Sequence, residues 1–380
     1  MLLETRVCHL TTFKVETGVV WILKSPYVRR TEGERSAPMR VQKTACRITA
    51  VTAVVTAGVL GLGACGSGGS SASGGGAKVA AVIKGLDNPF FQTMKQGIDE
   101  QARTGGVSTT VQAANAITDT TGQAEKLTAL AGQPYSCFIV NPISGTNLVQ
   151  GLAKIAAVKK TIVNIDSPID AKAAKSAKAT PATYIGTDNV QAGKMAGEQM
   201  ARLVNAGGDV AVIGGIAGDV TSGARVTGFG QGIGPKLKIV QTVAADWDRQ
   251  TALTAATNVL RAHPNLTGFF VANDDMGLGV ARAIANAGKT GKVKVISVDG
   301  IKDALNAVKS GSLDATVAQY PYAIGLMGVE ACQAAAKGKT LPADVKAPVE
   351  LVTKDNADKA LAATPKPFGS YDDPFKALGK

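Results

Sequence analysis

From Val79 onward, short runs of apolar residues alternate with longer amphipathic segments. The apolar runs predict ten strands, over 79–84, 108–113, 137–141, 161–166, 183–186, 209–214, 239–244, 268–272, 292–298 and 315–318. Segments of helical length lie between most of them, such as 90–102, 121–131, 190–203, 251–261, 276–287 and 321–336. Unbroken apolar strands separated by helical crossovers are typical of parallel sheets that are covered on both faces.

Ten strands are more than one compact doubly wound sheet usually needs, so the pattern predicts an α/β fold with two doubly wound parallel-sheet domains. Open α/β sheets bind polar ligands beyond the carboxyl ends of their strands. Polar residues stand at or just past many of these ends, namely Lys84, Asn88, Asn141, Asp166, Asn273, Asp274, Asp299 and Gln319. Because they come from both halves of the chain, we expect a ligand site in a cleft between the domains.

Residues 39–64 have the three parts of an export signal. A short basic segment starts at Met39, a mostly apolar run of 15 residues without charge covers 48–62, and small residues follow. This run is shorter than the roughly 20 residues that span a bilayer. The sequence Leu-Gly-Ala-Cys at 62–65 resembles a bacterial lipobox, which implies that Cys65 becomes the lipidated first residue of the mature chain.

The N-terminal pattern therefore predicts a lipoprotein signal peptide over 39–64 and a flexible Gly/Ser tether over 65–77. We expect residues 1–38 to be an unstructured extension or the product of a mis-assigned start. The predicted location is extracytoplasmic, with the mature chain anchored to the cell membrane through its lipid.

Net charge bears on the class of partner. The whole chain has a net charge of +12, but nine of its 41 basic and four of its 29 acidic residues lie in 1–64, which leaves 32 and 25 and a net charge of +7. The mature part has no basic run with interleaved aromatic residues. The sequence therefore predicts no nucleic-acid partner.

Enzyme chemistry has little support in the residues. His263 is the one imidazole of the mature chain, and the motifs HExxH, GxSxG, CxxC and GxxxxGK[ST] are absent from the sequence. We expect no enzyme activity, metal or cofactor, although Asp166 and Asp299 could form the carboxylate pair of a glycosidase. The sequence leaves open whether Cys137 and Cys332 pair or remain buried free thiols.

Several motifs in a fixed order resemble one protein family. They are Leu86-Asp87-Asn88-Pro89-Phe90-Phe91, Ile185-Gly186-Thr187-Asp188-Asn189, Gly215-Ile216-Ala217-Gly218, Arg225-Val226-Thr227-Gly228-Phe229, Ala245-Asp246-Trp247-Asp248-Arg249, Asn273-Asp274-Asp275-Met276, Val298-Asp299-Gly300 and Ala318-Gln319-Tyr320-Pro321. From about residue 78 to 354 the chain is similar to periplasmic sugar-binding proteins of the ribose-binding-protein type, the solute receptors of ABC importers.

This resemblance implies two domains that close on a sugar around three hinge crossings. Domain one would comprise 78–187 and 320–350, and domain two would comprise 188–319 and 351–380, including a C-terminal tail without an assigned place. The implied ligand is a monosaccharide or polyol, and the implied partner is a membrane permease. We expect a monomer. A receptor that reports its ligand to a signalling partner fits the same residues.

The resemblance also implies the ligand contacts. Carboxylates would accept hydrogen bonds from sugar hydroxyls, amides and cations would donate, and aromatic rings would cover the apolar faces of the sugar. Together with Lys84, the predicted contacts are Asn88, Phe90, Phe91, Asp166, Arg225, Trp247, Asn273, Asp299 and Gln319.

Two positions depart from the ribose-binding pattern. Ser167 stands where the family has an arginine, and Lys84 stands where it has a small polar residue. Either Lys84 supplies the donors that the arginine would have given, or the ligand is different. Val298 also replaces an aromatic residue before the Asp-Gly pair. These departures make ribose itself a doubtful ligand, and another pentose, a hexose or a sugar alcohol fits as well.

Overall fold

The structure, a computed structural model, describes residues 77–378. The predicted signal peptide, nearly all of the predicted tether and the predicted lipid site at Cys65 lie outside these residues. Between 77 and 378, twelve strands and twelve helices form two six-stranded sheets. No helix in this part of the chain is long and apolar enough to cross a membrane.

Sheet one is fully parallel and has the strand order β11-β5-β4-β3-β1-β2. Its strands are β1 (Lys78–Ile83), β2 (Ser108–Ala113), β3 (Cys137–Val140), β4 (Thr161–Ile165), β5 (Thr183–Thr187) and β11 (Asp344–Ala347). Strands β1 and β3 are wholly apolar in their shared register, as expected for strands with helices on both faces.

Sheet two has the order β12-β10-β9-β8-β6-β7, and only its edge strand β12 is antiparallel. Its strands are β6 (Gly208–Gly214), β7 (Leu237–Ala244), β8 (Gly268–Val271), β9 (Lys294–Asp299), β10 (Ala315–Ala318) and β12 (Glu350–Val352). The two sheets therefore repeat one doubly wound plan, and the predicted α/β fold class is confirmed.

Of the helices that the structure describes, the first ten lie between successive strands and the last two follow the last strand, and most of the twelve start at an Asp or Asn side chain. They are α1 (Pro89–Thr104), α2 (Thr120–Ala131), α3 (Val149–Ala157), α4 (Ala171–Ser176), α5 (Asn189–Leu203), α6 (Val220–Gly232), α7 (Arg249–Ala262), α8 (Asp274–Asn286), α9 (Lys302–Ser310), α10 (Pro321–Ala336), α11 (Ala357–Ala363) and α12 (Pro374–Leu378). The capping side chains are Asn88, Asp119, Asp170, Asp188, Asp219, Asp248 and Asn273, each of which accepts a hydrogen bond from a backbone N–H of the first turn.

The chain passes between the two sheets at three places. It leaves β5 at Thr187, leaves β10 for α10 through Gln319 and Tyr320, and passes from β11 to β12 through residues 348–349. Helix α10 packs on β3, β4 and β5 of sheet one. The tail, which the sequence left without a place, forms α11 against α9 and then α12 against α10.

A disulfide bond links Cys137 to Cys332, with the Cα atoms 5.7 Å apart. Cys137 is the first residue of β3, Cys332 lies on α10, and both are buried. The pairing that the sequence left open is therefore formed. It ties the helix that returns to sheet one, 195 residues later in the chain, to the amino end of a central strand.

Candidate ligand-binding site

All ten of the predicted ligand-contact residues line one cavity between the two sheets. Each of them is buried, and Ile117, Ser167 and Thr221 complete the lining. The cavity is small, about 40 Å³, whereas grooves of about 510 and 570 Å³ lie on the surface of helices away from the strand ends. The convergence of buried polar groups, rather than size, singles out this cavity.

Two asparagines at the cavity act as helix caps. Asn88 Oδ1 accepts from the backbone N–H of Phe90 at 2.9 Å, and Asn273 Oδ1 accepts from the backbone N–H of Met276 at 3.0 Å. Capping uses the amide oxygen and leaves the Nδ2 group as a donor. Asn88 and Asn273 therefore fix the start of α1 and α8 and each keep a donor at the carboxyl edge of their own sheet.

Three residues of the cavity have a left-handed or otherwise positive φ although they carry side chains. The φ angle is +58° at Asp166, +62° at Trp247 and +142° at Asp299. Such conformations cost of order 1–3 kcal/mol each and cluster at binding and catalytic sites. The surrounding fold therefore holds two carboxyl groups and one indole in orientations that a relaxed backbone would not give them.

Arg225, on α6, is the cation of the cavity wall on the side of sheet two. Its Nε donates to Asn189 Oδ1 at 2.8 Å, and its Nη1 donates to the carbonyl of Ala272 at 2.6 Å and to Asp299 Oδ1 at 3.3 Å. In the described part of the chain its Nη2 has no protein acceptor, although the side chain is only 5% exposed. Arg225 thus has donors free for a polar ligand.

Asp299 is joined by hydrogen bonds to two of the crossings between the sheets. Gln319 Nε2 donates to Asp299 Oδ1 at 2.6 Å, and the hydroxyl of Thr187 donates to Gln319 Oε1 at 2.6 Å. Burial raises the pKa of Asp299 to about 8, and the Arg225 guanidinium opposes this rise. Two of the three crossings and one carboxyl group of the cavity lining therefore belong to a single hydrogen-bonded chain.

Asp274 supports the loop that carries Asp299. It lies beneath the cavity, fully buried, and accepts from the Ser297 and Thr316 hydroxyls and from the backbone N–H groups of Gly300 and Ile301. Burial raises its pKa. The sequence singled out Asp274 as a polar residue at a strand end, and the structure gives it no place in the cavity lining.

Lys84 and Ser167, the two departures from the family pattern, contact each other. Lys84 Nζ donates to Ser167 Oγ at 2.7 Å, and this hydroxyl donates to Asp166 Oδ2 at 3.3 Å. The ammonium group also lies 5.5 Å from the centre of the Phe91 ring. An ammonium group has three donors, so Lys84 keeps two for other acceptors.

The aromatic walls come from both domains. Phe90 and Phe91 pack edge to face in domain one, with ring centres 5.1 Å apart. Trp247 lies in domain two, 5.8 Å from the Arg225 guanidinium, and packs directly on Gly215, where a Cβ atom would overlap the indole. Apolar rings thus face the polar groups, which is the arrangement that an amphipathic ligand requires.

The cavity also contains residues that sequence reasoning missed as ligand contacts. Ile117 follows β2, and Thr221 lies in the first turn of α6. Asn141 lies behind the cavity, where its Oδ1 accepts from the backbone N–H of Ser167. His263 caps the end of α7 and contacts Gln241 at 3.0 Å, well apart from the cavity lining.

Among residues 77–378 there is no group of three or more His, Cys, Asp or Glu side chains that could hold a metal ion. The buried polar groups of the cavity are instead amides, carboxyls, an ammonium and a guanidinium. Such a set forms hydrogen bonds with a ligand that both donates and accepts.

Comparison with known proteins gives the family. A sequence model described as "Periplasmic binding protein domain" matches residues 79–340. The D-allose-binding periplasmic protein of Escherichia coli (strain K12) is 41% identical over 276 residues, which cover 72% of this chain and 88% of that protein. The ribose import binding protein RbsB of Bacillus subtilis (strain 168) is 33% identical over 272 residues, which cover 72% of this chain and 86% of that protein.

Solved structures agree. An ABC transporter periplasmic solute binding protein from Actinobacillus succinogenes 130z with bound D-allose has a TM-score of 0.70 and 29% sequence identity, covering 74% of this chain and 99% of that chain. Residues 79–340, which match the family model, run from β1 to β10, and of the twelve described strands only β11 and β12 lie beyond them. The chain therefore belongs to the periplasmic binding protein family and is a homologue of its D-allose- and ribose-binding members.

Proposed function

We propose that this protein captures a monosaccharide or sugar alcohol between its two domains and delivers it to the permease of an ABC importer. One observation carries the proposal: a single buried cavity receives two carboxyl groups, a guanidinium, an ammonium, two cap amides and three aromatic rings. A sugar hydroxyl both donates and accepts, and the C–H faces of a sugar ring are apolar, so a sugar satisfies all of these groups together.

Each side chain then has a stated role. Asp166 and Asp299 accept from hydroxyls, while Arg225 and the Nδ2 groups of Asn88 and Asn273 donate. Phe90, Phe91 and Trp247 cover the two faces of the ring. Gln319 bonds Asp299 and sits in a hinge crossing, so ligand contact at Asp299 reaches the hinge directly.

The ligand we propose first is a hexose of the D-allose type. The relative from Escherichia coli is a D-allose-binding protein, and the solved structure from Actinobacillus succinogenes has D-allose bound. The contact between Lys84 and Ser167 supports the first of the two sequence interpretations, because an ammonium group occupies the surroundings of the absent arginine. At this end of the cavity, the ammonium group of Lys84 then donates hydrogen bonds to sugar oxygens.

We further propose that the mature chain is a lipoprotein attached to the outer face of the cell membrane through Cys65, and that it works as a monomer. The family supports an extracytoplasmic location. The relatives above are transport binding proteins, and they give no support to a glycosidase or a signalling receptor.

Isothermal titration of the mature protein against D-allose, D-ribose, other pentoses and hexoses, and polyols tests the proposal. We expect saturable binding of at least one of these compounds, with D-allose among the tightest. Arg225→Ala should weaken it, while Arg261→Ala, at an exposed helix end, is the matched control. Absence of heat across the whole panel would refute the carbohydrate function.

A further inference from the structure

The segment after β12 lies beyond the residues that the family model matches, and it returns to domain one. It first docks on the domain-two side. Helix α11 packs against α9, with Ala357 and Ala360 buried and an exposed ion pair of 2.6 Å between Lys309 and Asp358. The next residues, 364–378, are called the C-terminal strap below.

The strap passes alongside the hinge. The ring of Phe368 packs edge to face against Tyr320, with ring centres 6.1 Å apart and planes at 69°. Gly369 lies so close to the carboxylate of Glu350 that a side chain at this position would overlap it. Tyr320 belongs to the second crossing and Glu350 follows the third, so the strap touches both.

The strap then docks on α10, which packs on sheet one. Phe375 is fully buried there, and Lys366 Nζ lies 6.0 Å from the centre of the Tyr322 ring. Glu330 of α10 faces Asp373 of the strap, and burial together with this neighbour raises the pKa of Glu330 to about 8. Lys376 faces the same carboxyl pair. The strap thus has a buried anchor on the domain-one side.

The strap also covers the back of the ligand site. A cavity of about 130 Å³ separates the two, and its wall includes Phe90, Asp299 and Gln319 on one side and Pro365 and Phe368 on the other. The three residues on the first side also line the ligand cavity. Movement of the strap therefore changes the packing behind Phe90, Asp299 and Gln319, on the side of the site that faces the hinge.

We propose that the C-terminal strap is a fourth link between the domains which holds them in the closed arrangement, and that Phe368 is a positioning residue that fixes Gln319 through Tyr320. In the structure, α11, which directly precedes the strap, contacts α9, while the strap contacts the hinge through Phe368 and α10 through Phe375. Rotation of the domains away from each other must stretch the strap or detach one of its ends. The strap therefore favours closure and slows release of a bound sugar.

Part of this inference rests on the proposed function, so the test has an arm without sugar. Small-angle X-ray scattering of the ligand-free mature protein measures how far the domains open. We expect Phe375→Ala and Phe368→Ala to increase the radius of gyration, and Lys194→Ala, which removes an exposed ion pair with Glu198 within α5 alone, to leave it unchanged. An unchanged radius of gyration in both phenylalanine variants would refute the proposal that the strap holds the domains closed.

The second arm uses stopped-flow release of D-allose, or of the tightest sugar found by titration. We expect a release rate about tenfold faster in Phe375→Ala and Phe368→Ala, with an association rate within twofold of wild type, and partial rescue in Phe368→Leu. Unchanged release rates in a protein that binds sugar would refute the proposal. Failure of the wild type to bind any sugar refutes the proposed function and leaves the scattering result to decide on the strap.

Hydrogen exchange of the unmodified protein guards against variants that fail to fold. If the strap holds the domains closed, sugar binding protects its contacts, so its amides in 366–378 should exchange at least tenfold more slowly with sugar bound. Amides of α11, which packs against α9 of domain two, should change little. Equal exchange of the strap with and without sugar would contradict its coupling to closure.

Discussion

Removal of the disulfide bond should destabilise domain one and leave sugar binding intact. Cys137 stands at the amino end of β3, whereas the ligand cavity lies at the carboxyl ends of the strands. The bond closes a loop of 195 residues, and this loop includes most of domain two. The double variant Cys137→Ala/Cys332→Ala frees the returning helix α10 from sheet one without touching the cavity.

The magnitude follows from the length of the loop. The chain-entropy relation gives about 5 kcal/mol at 25 °C for a loop of this length, and measured losses of native disulfides are typically about 2–5 kcal/mol. Since whole proteins have only about 5–15 kcal/mol of stability, the variant should lose a large share of it. We expect a decrease of about 2–5 kcal/mol in the free energy of unfolding.

Urea unfolding followed by circular dichroism measures this loss, and titration with sugar measures the binding. The reduced wild-type protein is the matched control, because it breaks the same bond without changing the buried residues. We expect the variant and the reduced protein to unfold at similar, lower urea concentrations and to bind sugar as the oxidised protein does. A free energy of unfolding within about 0.5 kcal/mol of wild type, or a tenfold loss of affinity, would refute the reasoning.

Three further predictions concern single side chains. Arg225→Ala removes charge-assisted hydrogen bonds worth about 1.5–3 kcal/mol, so sugar affinity should fall about 10- to 150-fold by titration, and an unchanged affinity would remove Arg225 from the site. Lys84→Met keeps the apolar stem but loses the donors, and it should weaken the sugar by about tenfold or more; equal binding would show that Lys84 bonds only Ser167. Glu330 has a raised pKa of about 8, so the folded chain holds a proton that the unfolded chain releases above its ordinary value of 4.5. Stability should therefore fall as pH rises from about 4.5 to 8 and level off above. Glu330→Gln should reduce this slope in urea unfolding at pH 5–9 and leave the part that comes from Asp299, whose pKa is also raised to about 8, whereas an equal slope in the variant would show that Glu330 does not contribute.

The ten strands that the sequence predicted are all present. The inner strands have a distinctive apolar pattern because both of their faces are buried, whereas the edge strands β2 and β7 are only partly buried. Strands β11 and β12 escaped prediction because they are short edge strands without an unbroken apolar run, and in β11 the exposed Asp344 and Lys346 alternate with buried residues. Helix α12 has five residues, and the burial of Phe375 depends on α10, which is far away in the sequence. Local patterns carry no signal for such contacts.

Two conditions made a residue of the cavity lining predictable from the sequence. Its side chain had to be polar, and it had to stand at or just after the end of a strand. Asp166, Asn273 and Asp299 meet both conditions. Ile117 fails the first condition because it is aliphatic, and Thr221 fails the second because it lies inside a helix, so only the folded arrangement brings them to the cavity. The contact between Lys84 and Ser167 could not be predicted either. The two residues are 83 positions apart, and the sequence shows only that each departs from the family pattern.

The positive φ angles of Asp166, Trp247 and Asp299 affect how a new specificity can arise. At these three positions a β-branched or bulky replacement changes the side-chain contacts and also adds backbone strain. Most substitutions there therefore destabilise the fold before they alter ligand choice. Lys84 and Ser167 face the same cavity from backbone without this constraint. Variation in this pair is thus the easiest evolutionary route to a different sugar, and libraries for redesigned receptors are best directed there.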